Sequence, residues 1–178
     1  MDRMSGDKFI GDYVLLNIGF AAARARLVNL ASGGLLLRAS EHAYGEITGL
    51  ADAAGSVAGA FQLAGVCPGE ITETHGMAQL PLRWEAAAGE GTLFPALDAD
   101  LTLTPAEAQT TVFALTGVFR PPPGLADAGL DQKIVFWFAA AALRVFLAQL
   151  AAALVHPSGA APESLAASTT SRSANSSR

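Results

Sequence analysis

Apolar residues recur along this chain in two rhythms, and the change between them predicts its elements. In "AQLPLRWEAA", residues 78–87, Leu80, Leu82 and Trp84 alternate with the polar Arg83 and Glu85. "LFPALDADLTLT", residues 93–104, sets Leu97, Ala99, Leu101 and Leu103 against Asp98, Asp100 and Thr102. "TTVFALTGVFR", residues 110–120, puts Phe113, Leu115 and Phe119 on one side, with Gly117 as a bulge or a point of close approach. Period-two alternation of this kind predicts half-buried antiparallel strands. The three prolines of "PPPG" at 121–124 cannot donate to a ladder and stop the last strand. Upstream, "IGDYVLLNIGF" is rich in β-formers and predicts a strand over Asp12 to Phe20. "AAARARLVNLASGG" then predicts a helix ending at Ser32-Gly33-Gly34, and "LLLRASEHAY" a second short helix closed by Gly45. "AGAFQLAGVCPGEITETHG" breaks clean alternation at Pro68-Gly69 and leaves the pairing of the early sheet open.

After residue 124 the rhythm becomes helical, predicting a helix over Leu125 to Val155. Its core, "IVFWFAAAALRVFLAQLAAALV", carries one charge, Arg144, and one amide, Gln149. The length would suit a bilayer. Yet at 100° per residue Phe136, Leu143, Leu147, Leu150 and Leu154 share a stripe flanked by Phe146, while alanines fill much of the remainder. A membrane span has no need of that asymmetry, and Arg144 near its middle would cost about 2.5 to 3.5 kcal/mol on insertion scales. Neither flank carries a cluster of Lys or Arg. An antiparallel sheet, by contrast, needs a cover for its apolar face, and about 20 helical residues span ~30 Å. The expectation is therefore a core helix and no membrane span. Ile134, Phe138 and Val145 lie on the other side, free for a ligand or a partner, a homodimer mate included.

Composition changes this picture little. Net charge is −5 with no basic run, so the footprint for neutralising phosphates is missing and nucleic acid is excluded as an expected partner. The single Cys67 forms no internal disulfide, and "MDRMSGDKFIGDY" has no apolar export region, which makes a cytoplasmic location the expectation. From Pro157 the chain is mostly Ser, Ala, Thr, Pro and Gly, with Leu165 as its one large apolar residue. Such a segment cannot bury enough surface to offset its ordering entropy, so one domain over 7–156 and a disordered tail over 157–178 are expected.

The order strand, two helices, antiparallel strands, long C-terminal helix resembles the helix-grip fold of the START and Bet v 1-like (SRPBCC) superfamily. The stretches "GDYVLLNIGFAAARARLVNLASGG", "LRWEA", "LFPALDADLTLTP" and "GVFRPPPG" are similar to an actinobacterial, polyketide cyclase-like group within it. The resemblance implies an α+β domain whose curved antiparallel sheet wraps the C-terminal helix and leaves a cavity between them. It brings no catalytic motif.

Candidate chemistry is sparse. Glu41 and His42 are adjacent, about 100° apart on a helix, and read as a solvated surface pair. Asp98 and Asp100 lie opposite an apolar set and should face water. His75 sits in a polar turn, no Cys or His spacing suggests zinc, and Cys67 reads as an inert buried or edge thiol. No metal or cofactor is expected. Arg83 and Glu85 are either a surface ion pair or, were the strand faces inverted, groups that project into the cavity and hold a ligand's carboxylate or phenolate end. Arg144 is either a pocket group or an exposed helix edge. The cavity lining would be Trp84, Leu101, Phe113, Leu115, Phe136, Leu143 and Leu147, suited to an apolar or aromatic small molecule, although the same residues would also make a filled core. The reading is a ligand-binding domain without chemistry of its own. A polyketide cyclase or aromatase-like enzyme and a C-terminally membrane-anchored protein are the alternatives.

Overall fold

Among the described residues every strand joins one antiparallel sheet, and the three helices lie in the order the hydrophobic rhythm implies. The computed structural model describes residues 7–54, 62–88, 92–121 and 132–157. Its elements are β1 (Lys8–Leu16), α1 (Phe20–Ser32), α2 (Leu35–Ala54), β2 (Gln62–Pro68), β3 (Thr72–Thr74), β4 (Met77–Ala88), β5 (Thr92–Glu107), β6 (Thr110–Phe119) and α3 (Gln132–Val155). The sheet order is β1-β6-β5-β4-β2, with the short β3 also pairing β4. Register shifts interrupt the ladders between Leu63 and Gly65, Trp84 and Glu85, and Pro105 and Glu107. Each extra residue bends its strand, and the sheet curves. With α3 against one face, this is a helix-grip arrangement.

The alternation sets the faces as expected. Ala78, Leu80, Leu82, Leu97, Ala99, Leu101, Leu103, Phe113, Leu115 and Phe119 are buried, and the polar residues that alternate with them, among them Gln79, Arg83, Asp98, Asp100 and Thr102, are not. From α3, Val135, Leu143, Phe146, Leu147, Leu150 and Leu154 enter the same core. This helix is long and apolar enough to cross a membrane over Lys133–Val155, and here its bulky stripe docks on the strands and α2. Arg26 on α1 donates from Nη1 to the carbonyls of Leu154 (2.6 Å) and Val155 (3.1 Å), a cation on the negative end of α3.

Gly117 has Ala99 directly opposite on β5, and a Cβ there would collide with the Asp98 carbonyl oxygen and Ala99 itself. The close approach anticipated at this glycine is real, and no register shift occurs there. His75 (φ 52°) and Gly76 (φ 74°) form the two-residue turn joining β3 to β4, both left-handed as a type I′ hairpin requires.

Several boundaries differ from expectation. The first strand runs Lys8–Leu16, not Asp12 to Phe20: the backbone bends at Asn17, Gly19 becomes the N-cap of α1, and Phe20 is already helical. Gly45 does not close the second helix, which continues to Ala54. A mid-helix glycine costs only about 1 kcal/mol, and Leu36, Ala39, Ser40 and Ala43 already bind that helix to the core at helical spacing. Residues 62–74, whose pairing was open, become β2 and β3 along one edge of β4. The expected helical start at Leu125 and the tail beyond Pro157 lie outside the described residues.

Candidate functional site

Cross-strand register gathers the interior residues into rows. One row comprises Val66, Trp84, Leu97 and Phe119; deeper rows contain Leu80, Leu101 and Leu115, then Ala78, Leu103 and Phe113. The helix crosses them so that Phe136 meets Phe119 (ring centroids 6.5 Å apart) and Phe146 meets Trp84 edge to face (5.0 Å, 62°). Leu80, Leu101, Leu103 and Phe113 are wholly buried, with Leu147, Leu150 and Leu154 of α3 equally closed off. Around the Trp84 row the packing is looser. Val66, Trp84, Phe136, Ala139 and Ala140 remain only partly buried, although they pack against the core. Ala139 belongs to the docking stripe, three residues after Phe136 and four before Leu143, where a large side chain would meet the sheet.

The Trp84 indole N–H is buried and has no hydrogen-bond acceptor, the one such side-chain polar atom among the described residues. The two buried polar residues among those described are both satisfied: Ser40 donates to the Leu37 carbonyl (2.7 Å) and Thr111 to that of Ile18 (2.8 Å). No ionisable group is buried in this interior among the described residues.

The charged candidates lie elsewhere. The strand faces are not inverted, so Arg83 and Glu85 point away from the helices, opposite Trp84, and the cavity role considered for them is corrected. Arg83 Nε donates to Asp98 Oδ1 (2.8 Å), and Arg120 Nη1 donates to Asp98 Oδ2. Hydrogen bonding and the charge of Asp98 raise the Arg83 pKa; the hydrogen bond from Arg83, then that from Arg120, holds the Asp98 carboxyl below its usual range. These groups do form a surface ion-pair network, but its acid is Asp98 from the neighbouring strand and not Glu85. Arg144 likewise stands at an exposed helix edge, its Nε 3.0 Å from Asp12 Oδ2 on β1. His42 faces Glu46 one turn on, at 3.9 Å and in solvent, and exposed Cys67 sits on the edge strand β2. Behind the sheet, Arg83, Asp98, Gly117 and Phe9 help to line an open groove of about 560 Å³.

Of the proposed lining, then, Trp84 and Phe136 are partly accessible, while Leu101, Phe113, Leu115, Leu143 and Leu147 are fully enclosed core. Ala139 and Val66, also partly buried, were not singled out, and Phe146, named above only as a flank of the stripe, packs on Trp84. The one signal in the sequence is that Ala139 interrupts a stripe of large residues.

No family profile and no curated protein matches this chain. Among solved structures it is similar to the Zhui aromatase/cyclase of a Streptomyces strain, at 12% identity over 86% of this chain and 99% of that one, TM-score 0.36. It is also similar to the di-domain aromatase/cyclase BexL, at 13% identity over 90% of this chain and 52% of that one, TM-score 0.46. A Thermus thermophilus protein matches at 11% identity over 85% of this chain and 99% of its own, TM-score 0.42.

Proposed function

We propose that this protein is a START and Bet v 1-like domain, working in the cytoplasm, that holds an apolar or aromatic small molecule between the Trp84 row and the first half of α3. The observation that carries the reading is the partial accessibility of Trp84, Phe136 and Ala139, which lie on the faces that meet. Leu143 and Leu147 are the wall beyond them, and Leu101, Phe113 and Leu115 the closed floor. A pocket of this kind takes a ligand by burying apolar surface, at about 25 cal/mol per Å².

Ala139→Leu tests it directly. In a chamber the added methylenes occupy empty space, so the variant keeps its stability and loses affinity for a hydrophobic probe such as 2-isopropenylnaphthalene, measured by native mass spectrometry. In a filled core the same change overpacks and destabilises by about 1 to 3 kcal/mol. That result, with no probe bound to the parent protein, would end the proposal.

A further inference from the structure

We infer that the ligand presents a hydrogen-bond-accepting oxygen, a ketone or quinone carbonyl in an otherwise apolar body, and that the Trp84 indole N–H receives it. The inference rests on the chamber proposed above and specifies its chemistry. The reasoning begins with the cost of the empty protein. A buried donor without an acceptor loses its hydration and gains nothing in return. An apolar residue of similar shape would avoid that loss. Apolar residues fill the neighbouring positions, Val66, Leu97 and Phe119 in the same row and Phe146 on α3. Trp84 carries its donor into a region where no serine, threonine or carboxylate among the described residues answers it. Phe146, packed edge to face, supplies at most a weak π acceptor.

The same surroundings restrict the acceptor. An indole N–H is a neutral donor that cannot accept. The charged groups nearest in sequence, Arg83 and Glu85, stand on the other side of the sheet, and Arg144 is engaged with Asp12 at the surface. A carboxylate or phosphate would therefore be desolvated against no countercharge. A neutral carbonyl needs one good donor and would find it. Discrimination should follow the asymmetry of buried polar groups: a ligand lacking the oxygen leaves the N–H orphaned, and one bearing it does not.

Two probes of nearly equal shape separate these terms: 2-acetylnaphthalene, and 2-isopropenylnaphthalene, in which CH2 replaces the carbonyl oxygen. Both dissociation constants are measured by calorimetry on the full chain and on Trp84→Phe. The expected result is that Trp84→Phe weakens the ketone about tenfold relative to the alkene, the size of one net hydrogen bond. An unchanged ketone-to-alkene ratio overturns the inference and leaves the chamber standing. Binding of neither probe by the parent protein overturns both. Should Trp84→Phe fail to fold, the parent protein still decides, with indole resonances assigned through the exposed Trp137→Phe: the ketone alone must move the Trp84 Nε1–H signal downfield, and equal shifts with both probes reject the assignment.

Discussion

The two ends of the helix-sheet interface use the same residue types and pack differently. At the Leu101 end, leucine and phenylalanine from β4, β5, β6 and α3 interdigitate until Leu80, Leu101, Leu103, Phe113, Leu150 and Leu154 lose essentially all contact with solvent. At the Trp84 end, α3 carries a run of alanines from 139 to 142, every one partly accessible, and Trp84 and Val66 of the sheet are partly accessible as well. The lesson concerns shape more than hydrophobicity. Bulky side chains on both partners seal an interface; where the helix offers alanines, burial stays incomplete even though both surfaces are apolar. Arg26, clamping the last carbonyls of α3, reinforces the sealed end.

If that contrast is right, truncation should cost far more at one end than at the other. Phe113→Ala should lose about 3 to 5 kcal/mol of stability in urea unfolding, whereas Phe136→Ala, already partly accessible, should lose about half as much or less. Equal losses would erase the distinction. Gly117→Ala comes next: its Cβ meets backbone and not a movable side-chain tip, so about 2 kcal/mol should be lost and the β5–β6 register disturbed, visible as lost amide protection around Asp98. A silent substitution there would mean that β5 and β6 do not approach each other as closely as described. Arg26→Ala removes a charged cap and should lower stability by about 1 kcal/mol, with faster amide exchange confined to the last turn of α3. If exchange quickens instead near Phe136, the two ends are not independent.

The smallest effect lies on the outer face. Because the Asp98 carboxyl is held below its ordinary range, the stability it lends is complete above that range and is lost as pH falls through the lowered value. Asp98→Asn should therefore flatten that part of the acid limb, shift neutral-pH stability little, and leave probe binding untouched. A change in binding would connect the outer face to the interior.

Much of the fold was legible in the chain because alternation is local. The inward set from Leu80 to Phe119, the solvent side of Asp98, the close approach at Gly117 and the docking stripe from Leu143 to Leu154 all follow from period two or 3.6. Boundaries were less so. Asn17 ended a strand that β-propensity would extend, and Gly45 failed to end a helix, because packing of Leu36, Ala39 and Ala43 outweighs a local cost. The β3–β4 turn carries His-Gly, not the Asn-Gly that marks such hairpins most plainly.

Sequence by itself determined which side of each strand is apolar, since the pleat leaves a side chain only two directions. It could not determine whether Arg83 and Arg120 converge on Asp98, which depends on register across three strands. Nor could it distinguish a closed interior from an accessible one. Ala139 reads as inert helix filler until α3 is laid against the core, and an unsatisfied indole N–H exists only when every neighbour that might accept from it has a position in space. Those are properties of distance between segments far apart in the chain, and only the tertiary structure decided them.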